Sequence, residues 1–226
     1  AVLMALHHKN RTGEGQWLDL SQVESGMVLT GPAILDFTAN DRPYRREGNP
    51  PGNRSNNPKV APHNTYRCAG DDEIVDGQPR QRWCAISVFN EEEWEKFCVA
   101  IGSPLWTNEQ KFSTNADRVE NEDELDALIG EWTKERAAEE VEAALQAEGV
   151  PSSVVENSKD TREDTQLAHR GFFRRIEHSV IGEHTYRGPC FRLSKTPDNQ
   201  FAGPALGQHN FEVCTMVGMD DEEIAE

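Results

Sequence analysis

Hydrophobic residues recur every three or four positions between Asn121 and Gly149, as they do on one face of an α-helix. The residues with this spacing are Leu125, Leu128, Ile129, Trp132, Val141 and Leu145. A charged run after Thr133 interrupts the pattern, so it predicts two amphipathic helices rather than one. We expect each of them to bury its apolar face in a core.

Another amphipathic helix is predicted to begin at Asn90, because Asn90 and Glu93 have the spacing of a capping pair. Its apolar face carries Trp94, Phe97, Cys98 and Ile101. Gly102 and Pro104 are typical helix-ending residues, so the helix should stop there.

The first ten residues have the pattern of a helix that ends at Asn10, before a turn at residues 11–15. They lack an initiator methionine and a residue that could cap the helix, so we expect a piece of a longer protein. Residues 16–20 predict a short strand.

Ser21 and Glu24 then predict a capping box at the start of a further helix. Gly31 and Pro32 should bend or interrupt that helix, because proline removes a backbone donor.

Strand patterns follow in the second part of the chain. Residues 64–70 and 82–88 predict two strands with a turn at Asp76–Gly77 between them, and residues 149–157 predict a third. Residues 172–188 predict a hairpin across Gly182, and residues 206–226 a terminal pair of helices. The order of elements indicates a mixed α/β protein.

Residues 39–64 form the least regular stretch, rich in proline, glycine and asparagine. A long loop of this kind is typically functional or linking, and we place a domain boundary here. The loop also holds a cluster of basic residues: Arg42, Arg45, Arg46, Arg54 and Lys59. An anionic ligand could bind to this cluster, although a solvated loop with scattered charge would have the same composition.

Composition limits the function. A chain of 226 residues with 36% hydrophobic residues can form one large or two small globular units. Its formal net charge of −17 opposes binding to nucleic acid, which requires concentrated Lys and Arg. No apolar run approaches the roughly 20 residues that span a bilayer, and no secretory signal pattern is present. We therefore expect a soluble, cytoplasmic protein.

The reactive residue types give no local motif. The five cysteines show neither zinc-site nor CxxC spacing, and we expect each to be a small buried residue. We predict no metal site. The histidines that we considered have no sequence-local partner that would orient a base, so we expect structural roles for them. They are His7, His8, His63 and His209.

Several segments, taken together and in order, resemble the class III CoA-transferase family, which includes carnitine, bile-acid and formyl-CoA transferases. The segments are RTGEGQWLDLSQVES, APHNTYRCAG, FNEEEWEKFCVAIG, KFSTNADRVENEDEL, GVPSSVVENSKDTREDTQL and GPALGQHNFEVCTMVGMDDEEI. They cover nearly the whole chain, which resembles the carboxyl-terminal portion of such an enzyme.

The resemblance implies a fold. It is an α/β architecture with part of a Rossmann-like large domain and a small α+β domain, as in interlocked dimers of this family. Residues 1–40 would belong to the large domain, 41–60 to a linker loop and 61–190 to the small domain. Residues 191–226 would return to the large domain.

The resemblance also implies a reaction, the transfer of CoA between carboxylic acids through an aspartyl intermediate. CoA would be a substrate, and no permanently bound cofactor is expected. The family's catalytic aspartate would lie upstream of Ala1, so we assign no catalytic residue here, and this chain alone should be inactive. Asp19 matches a strand position of the family and should be structural.

One loop matches the position of a glycine-rich loop beside the thioester in some family members. Its glycines would let backbone amides approach the substrate, and asparagine and arginine stand here in place of consecutive glycines. The predicted substrate-binding residues are Gly48, Asn49, Gly52, Asn53, Arg54, Asn56 and Asn57. An inter-domain linker capped by asparagine side chains remains an alternative.

Two other functions are compatible with the sequence. An acyl-CoA racemase or isomerase of the same superfamily would use an upstream His/Asp pair. A non-catalytic partner would bind CoA or a catalytic chain. For the transferase we expect acyl-CoA and carboxylic acid substrates as small-molecule partners, and a second copy of the protein or the missing amino-terminal half as the protein partner.

Overall fold

The computed structural model describes residues 1–71, 73–75 and 77–225. Asp76 of the predicted turn lies outside the described residues. The chain divides into two units, Ala1–Val154 and Val155–Glu226. The domain boundaries inferred from the family resemblance stay predictions.

The first unit contains most of the regular structure. Its helices are α1 (Val2–Thr12), α2 (Gln22–Met27), α3 (Gly31–Asn40), α4 (Glu91–Ala100), α5 (Asn115–Glu120), α6 (Glu122–Thr133) and α7 (Ala138–Ala147). Its strands are β1 (His63–Cys68), β2 (Ile74–Val75), β3 (Gln78–Pro79), β4 (Arg82–Ser87) and β5 (Ser152–Val154). Short 3-10 turns occur at Val28–Thr30, Leu105–Asn108 and Gln110–Phe112.

Strands β1, β4 and β5 form an antiparallel sheet with β4 in the centre. In the register, Cys84 pairs with Tyr66 on one side and with Val154 on the other. Alternate residues of β4 are buried, as expected where helices cover one face of a sheet. Helix α6 packs against β1, and α7 packs against β4 and β5.

The core lies between this sheet and helices α4, α6 and α7. Its fully buried hydrophobic side chains include Ile86, Phe97, Phe112, Leu125, Ile129, Val141 and Leu145. Burying each large apolar side chain contributes roughly 1.5–3 kcal/mol to stability. The predicted helices and the strands at residues 64–70, 82–88 and 149–157 are therefore confirmed. Most of their periodic apolar positions are buried in the core, and Cys98, Leu128 and Trp132 are partly buried against it.

A buried arginine holds several loops against this core. The Arg118 side chain is 1% exposed, and its Nε donates to the Ala61 carbonyl at 3.0 Å. Its Nη1 donates to Glu91 Oε2 at 3.0 Å and to the Phe112 carbonyl at 3.2 Å. The guanidinium also lies 4.5 Å from the Trp94 ring centroid. These partners compensate the desolvation of the charge and join four chain segments.

The amino-terminal helices are exposed instead of buried. None of the residues in α1, α2 or α3 is buried, although their large apolar residues are numerous. Ser21 Oγ accepts from the Glu24 amide at 3.2 Å, as the capping prediction requires. The 3-10 turn at Val28–Thr30 separates α2 from α3, which confirms the interruption before Pro32.

The strand predicted at residues 16–20 is wrong. The segment forms no strand, because it pairs with no other strand among the described residues and an unpaired strand is not stable. Trp17 is 86% exposed, so the apolar residues of this segment are not held in the core described above.

The second unit has α8 (Ser158–Glu163), α9 (Thr165–His169), β6 (Phe173–His178), β7 (Gly182–Arg187), α10 (Asn210–Met216) and α11 (Asp221–Ala225). Strands β6 and β7 form the predicted hairpin, and Gly182 takes a φ of 74° at its turn. The terminal pair of helices is also confirmed. No residue of 155–224 is buried.

Candidate functional site

The loop between α3 and β1 is the candidate site. Outside a single bridge between Arg46 and Asn49 it has no regular secondary structure, as the sequence indicates. Gly48 and Gly52 have φ angles of 70° and 69°, and a Cβ at either position would meet nothing within 4 Å. Backbone conformation, and not lack of space, therefore favours glycine at both positions.

Arg54 fastens the loop to helix α6. Its Nη2 donates to Asp123 Oδ1 at 2.6 Å and to Asp126 Oδ2 at 2.9 Å. Its Nε lies 3.5 Å from Glu122 Oε2. Three carboxylates thus surround one guanidinium, and these contacts raise the pKa of Arg54, first through the hydrogen bond to Asp123.

Asp126 connects the same cluster to strand β1. Tyr66 Oη donates to Asp126 Oδ1 at 2.6 Å, and Asn64 Nδ2 donates to Asp126 Oδ2 at 2.9 Å. Burial, followed by the Asp126 charge, raises the pKa of Tyr66 well above its ordinary value, so the phenol stays protonated as a donor. Burial also raises the pKa of Glu122. We call Arg54, Glu122, Asp123, Asp126 and Tyr66 the anchor cluster.

Asn53 adds a second attachment to β1. Its Nδ2 donates to Thr65 Oγ1 at 2.8 Å, and its carbonyl accepts from His63 Nδ1 at 2.7 Å. This contact fixes the tautomer of His63 and gives it the structural role that we expected. The carboxyl-terminal half of the loop is therefore held on the core.

The amino-terminal half of the loop folds on itself and towards α3. Asp41 adopts a left-handed conformation with φ 52°, which turns the chain at the end of α3. Arg42 Nη2 lies 2.6 Å from Asp36 Oδ1, and Arg46 Nη2 lies 3.1 Å from Asp36 Oδ2. Asn40 Nδ2 also donates to Asp36 at 2.9 Å. That hydrogen bond, and then the arginine charges, lower the pKa of Asp36.

Two cavities border the loop. The residues lining the α3-side cavity, of about 500 Å³, include Asp36, Arg42, Tyr44, Arg46, Asn49, Asn56 and Asn57. The α6-side cavity, of about 350 Å³, is lined by Gly48, Arg54, Ser55, Asn56, Lys59 and Glu122. Asn56 lines both.

The structure thus brings most of the predicted substrate-binding residues to these two cavities. Gly52 and Asn53 line neither of them. Asp36, Tyr44 and Asp126 were missed by the sequence analysis. Asp36 could have been found from the sequence, because it lies only a few positions before the basic cluster. Asp126 could not, because its partners lie 60 or more positions away in the chain.

A sequence profile described as CoA-transferase family III matches residues 1–210 of the chain. The chain belongs to CoA-transferase family III. The resemblance inferred from the ordered segments is confirmed.

Relatives of this family III chain share moderate identity with it. A succinyl-CoA–D-citramalate CoA-transferase of Chloroflexus aurantiacus is 29% identical over 99% of the chain and 52% of that protein. A human succinyl-CoA:glutarate CoA-transferase is 23% identical over 100% of the chain and 48% of that protein. A probable CoA-transferase of Mycobacterium tuberculosis is 30% identical over 98% of the chain, but only 26% of that protein. The chain spans about half the length, or less, of these relatives.

Solved structures share the fold. A CaiB/BaiF family protein from Brucella suis matches with a TM-score of 0.73 and 23% identity, over 96% of this chain and 52% of that one. A protein of Mycobacterium tuberculosis, Rv3272, matches with a TM-score of 0.67 and 20% identity, over 93% of this chain and 51% of that one. These matches and the small sheets confirm the α/β class.

The other reactive side chains of the family III chain lie elsewhere. Asp19 is exposed in the segment before α2. His209 Nδ1 lies 3.2 Å from Glu212 Oε2, a local partner that the sequence analysis overlooked.

Cys68 and Cys84 are buried, and burial raises their pKa values to about 11 and about 12, which keeps both thiols protonated. Cys190 is exposed, so the prediction that every cysteine is buried is wrong. It lies in a segment without regular structure, where no sheet or helix covers it.

The described residues contain no helix long and apolar enough to cross a membrane.

Proposed function

We propose that the protein transfers CoA between an acyl-CoA thioester and a carboxylic acid, and that this chain shapes and closes the thioester pocket. The observation that carries the proposal is the family III match over residues 1–210. The relatives' names add donors and acceptors of this kind, namely succinyl-CoA with D-citramalate or glutarate and formyl-CoA with oxalate.

In the proposed reaction, an aspartate upstream of Ala1 attacks the thioester carbonyl and displaces CoA thiolate, which leaves a mixed anhydride. The thiolate then attacks the aspartyl carbonyl of the anhydride and releases the donor acid as its carboxylate. The resulting aspartyl-CoA thioester passes CoA to the acceptor acid by the same two steps in reverse. Each step needs donors for a developing oxyanion and exclusion of water.

The loop supplies groups suited to that environment. Asn49, Asn56 and Asn57 line the α3-side cavity, and Gly48 lines the α6-side cavity without a side chain of its own. We assign substrate contacts to these residues and to Gly52 and Asn53. Arg54 acts differently: the anchor cluster occupies its Nη2 and Nε, so it positions the loop.

The proposal includes an assembly. A Rossmann-like large domain would include residues 1–40 and 191–226, the small domain would comprise residues 61–190, and two subunits would interlock in a cytoplasmic homodimer without a permanent cofactor. The exposed apolar residues of α1–α3 support this assignment, because an apolar surface of this extent is usually covered by protein.

The experiment uses the intact protein, including the residues upstream of Ala1. Succinyl-CoA or formyl-CoA is incubated with D-citramalate, mesaconate, glutarate or oxalate, and the CoA esters are separated by chromatography. We expect a new acyl-CoA with at least one pair, and none with the 226-residue chain alone. No exchange with any pair would contradict the proposal. Exchange of the α-proton of a branched acyl-CoA for deuterium without CoA transfer would support the racemase instead.

A further inference from the structure

A third cavity lies within the second unit of the chain. It has a volume of about 730 Å³, which is within the usual range for small-molecule sites. Helix α8 and the β6–β7 hairpin line it, and all of its lining residues belong to residues 155–226. This unit therefore forms the cavity by itself, and the proposed reaction gives the cavity no role.

The hairpin presents three different side chains to the cavity. Phe173 on β6 and Arg187 on β7 are direct partners in the strand register. Thr185 lies two positions before Arg187, and alternate residues of a strand point to the same face of a sheet. One face of the hairpin therefore carries an aromatic ring, a hydroxyl group and a guanidinium group side by side.

Helix α8 adds a second guanidinium group to that face. The guanidinium carbon of Arg162 lies 5.1 Å from the centroid of the Phe173 ring, and Arg162 Nη2 donates to Thr185 Oγ1 at 3.5 Å. The ring contacts the guanidinium through its π-system and takes up no N–H donor. These contacts orient Arg162 without neutralising its charge, and they leave it further donors for a ligand.

These two arginines differ from the arginines of the cavities beside the loop in their ion pairs. Each arginine that lines a cavity beside the loop is bound by at least one carboxylate. Neither Arg162 nor Arg187 has an ion-pair partner among the residues that the structure describes, although Glu156 lines the same cavity. An anion that enters this cavity therefore meets guanidinium groups that no carboxylate already binds.

The arrangement of donors favours a phosphate group over a carboxylate. Arg162 and Arg187 come from different elements, and Thr185 Oγ1 accepts from Arg162, so its own hydrogen is free to be donated. A phosphate monoester has three terminal oxygens that accept hydrogen bonds from several directions, whereas a carboxylate has two oxygens in one plane. The half-buried ring of Phe173 adds an apolar wall that an organic group can contact.

We propose that this cavity binds a small organic phosphate monoester, with Arg162, Thr185 and Arg187 contacting the phosphate and Phe173 contacting the organic group. The ligand is one that the proposed CoA transfer does not use. The inference goes beyond the proposed function and does not depend on it.

The test is calorimetric titration of the intact protein, including the residues upstream of Ala1, with phenyl phosphate, inorganic phosphate and benzoate. Phenyl phosphate should bind most tightly, because it combines about two negative charges with an aromatic group. Arg187→Gln should weaken its binding at least about tenfold, since a charge-assisted contact to phosphate is lost. The fold should not change, because the Arg187 side chain makes no hydrogen bond or ion pair among the described residues. No binding of phenyl phosphate, or equal binding by Arg187→Gln, would overturn the proposal.

Arg170→Gln is the matched control, because Arg170 is exposed in the same unit and does not line the cavity. Its affinity for phenyl phosphate should stay within about twofold of the wild type, since only long-range charge is lost. A loss equal to that of Arg187→Gln would overturn the site, because it would show a general effect of charge. Arg187→Lys keeps the charge but not the planar pair of donors, so its affinity should lie between those of the wild type and Arg187→Gln.

Two further results separate phosphate from the substrates of the proposed reaction. Benzoate that binds as tightly as phenyl phosphate, and equally depends on Arg187, would overturn the choice of phosphate. Displacement of phenyl phosphate by CoA would also overturn the proposal, because it would assign the cavity to a substrate of the transferase. Binding of phenyl phosphate that persists in excess CoA supports the proposal, and it does so whether or not the protein transfers CoA.

Discussion

The core of residues 60–154 and the loop of residues 41–59 use arginine in different ways. Arg118 is 1% exposed within the core, and backbone carbonyls, Glu91 and the Trp94 ring surround it. Arg54 is 34% exposed on the loop, and its ion-pair partners among the described residues are three carboxylates of α6. The core arginine should therefore determine whether the protein folds, whereas the loop arginine should determine where the loop lies.

The largest effect should come from Arg118→Met. The change keeps much of the side-chain volume but leaves the carbonyls of Ala61 and Phe112 without their donor. We expect a loss of about 3–5 kcal/mol in the free energy of unfolding, measured by urea denaturation. Lys96→Gln, which removes an exposed ion pair with Glu92, is the control and should leave the free energy of unfolding nearly unchanged, because water screens the pair. A loss below about 1 kcal/mol for Arg118→Met would remove the distinction between the two arginines.

Arg54→Gln should have a smaller effect on stability, about 1–2 kcal/mol, because the side chain is partly solvated. Its principal effect should be on the loop, since Glu122, Asp123 and Asp126 would then repel one another without a cation. We expect amides of residues 48–57 to exchange hydrogen for deuterium at least about fivefold faster, as measured by mass spectrometry. Exchange at residues 91–100 should not change. Equal protection in Arg54→Gln and in Arg45→Gln would contradict the anchoring role.

Gly52→Ala should cost about 1 kcal/mol, because its φ of 69° is unfavourable for a residue with a Cβ. Space is not the cause, since a Cβ there meets nothing within 4 Å. Gly15→Ala is the control, because Gly15 has equal space and no positive φ. Thermal unfolding of both variants measures the difference. Equal thermal-unfolding midpoints for Gly52→Ala and Gly15→Ala would show that the loop accommodates a Cβ at residue 52 without strain.

Glu122→Gln should give the smallest effect, and one that depends on pH. Burial raises the pKa of Glu122 above its ordinary 4.5, so the folded protein retains a proton that the unfolded chain releases. This carboxyl therefore favours folding at a pH below 4.5, and that contribution is lost as the pH rises through the raised pKa. In urea titrations, the free energy of unfolding of the wild type minus that of Glu122→Gln should therefore fall as the pH rises from 4.5 through the raised pKa. A free-energy difference between the two proteins that rises with pH would contradict a raised pKa of Glu122.

Local signals predicted the core elements well. Helix α4 begins at the Asn90–Glu93 cap that the sequence indicates, and α6 and α7 bury most of their periodic residues. The strand at residues 16–20 was predicted from local pattern alone, and it fails because a strand needs a neighbour. An element can therefore be predicted from the sequence most reliably when the interaction that stabilises it joins residues only a few positions apart.

The site shows the opposite case. Composition and the family resemblance indicated the loop, but not the contacts that give its arginines different roles. Arg54 reaches Asp126 across 72 positions, and Arg118 reaches Ala61 across 57. No local pattern encodes such pairings, so the anchor cluster and the buried arginine could be found only in the folded chain.

In the proposed function, this chain forms a CoA-thioester pocket and the nucleophile is an aspartate upstream of Ala1. The most direct measurement is peptide mapping of the intact protein after incubation with acyl-CoA, with the aspartyl-CoA adduct converted by hydroxylamine to a hydroxamate. We predict one modified aspartate, upstream of Ala1, and none within the 226-residue chain. Modification of Asp19 or of any other carboxylate of this chain would contradict the account.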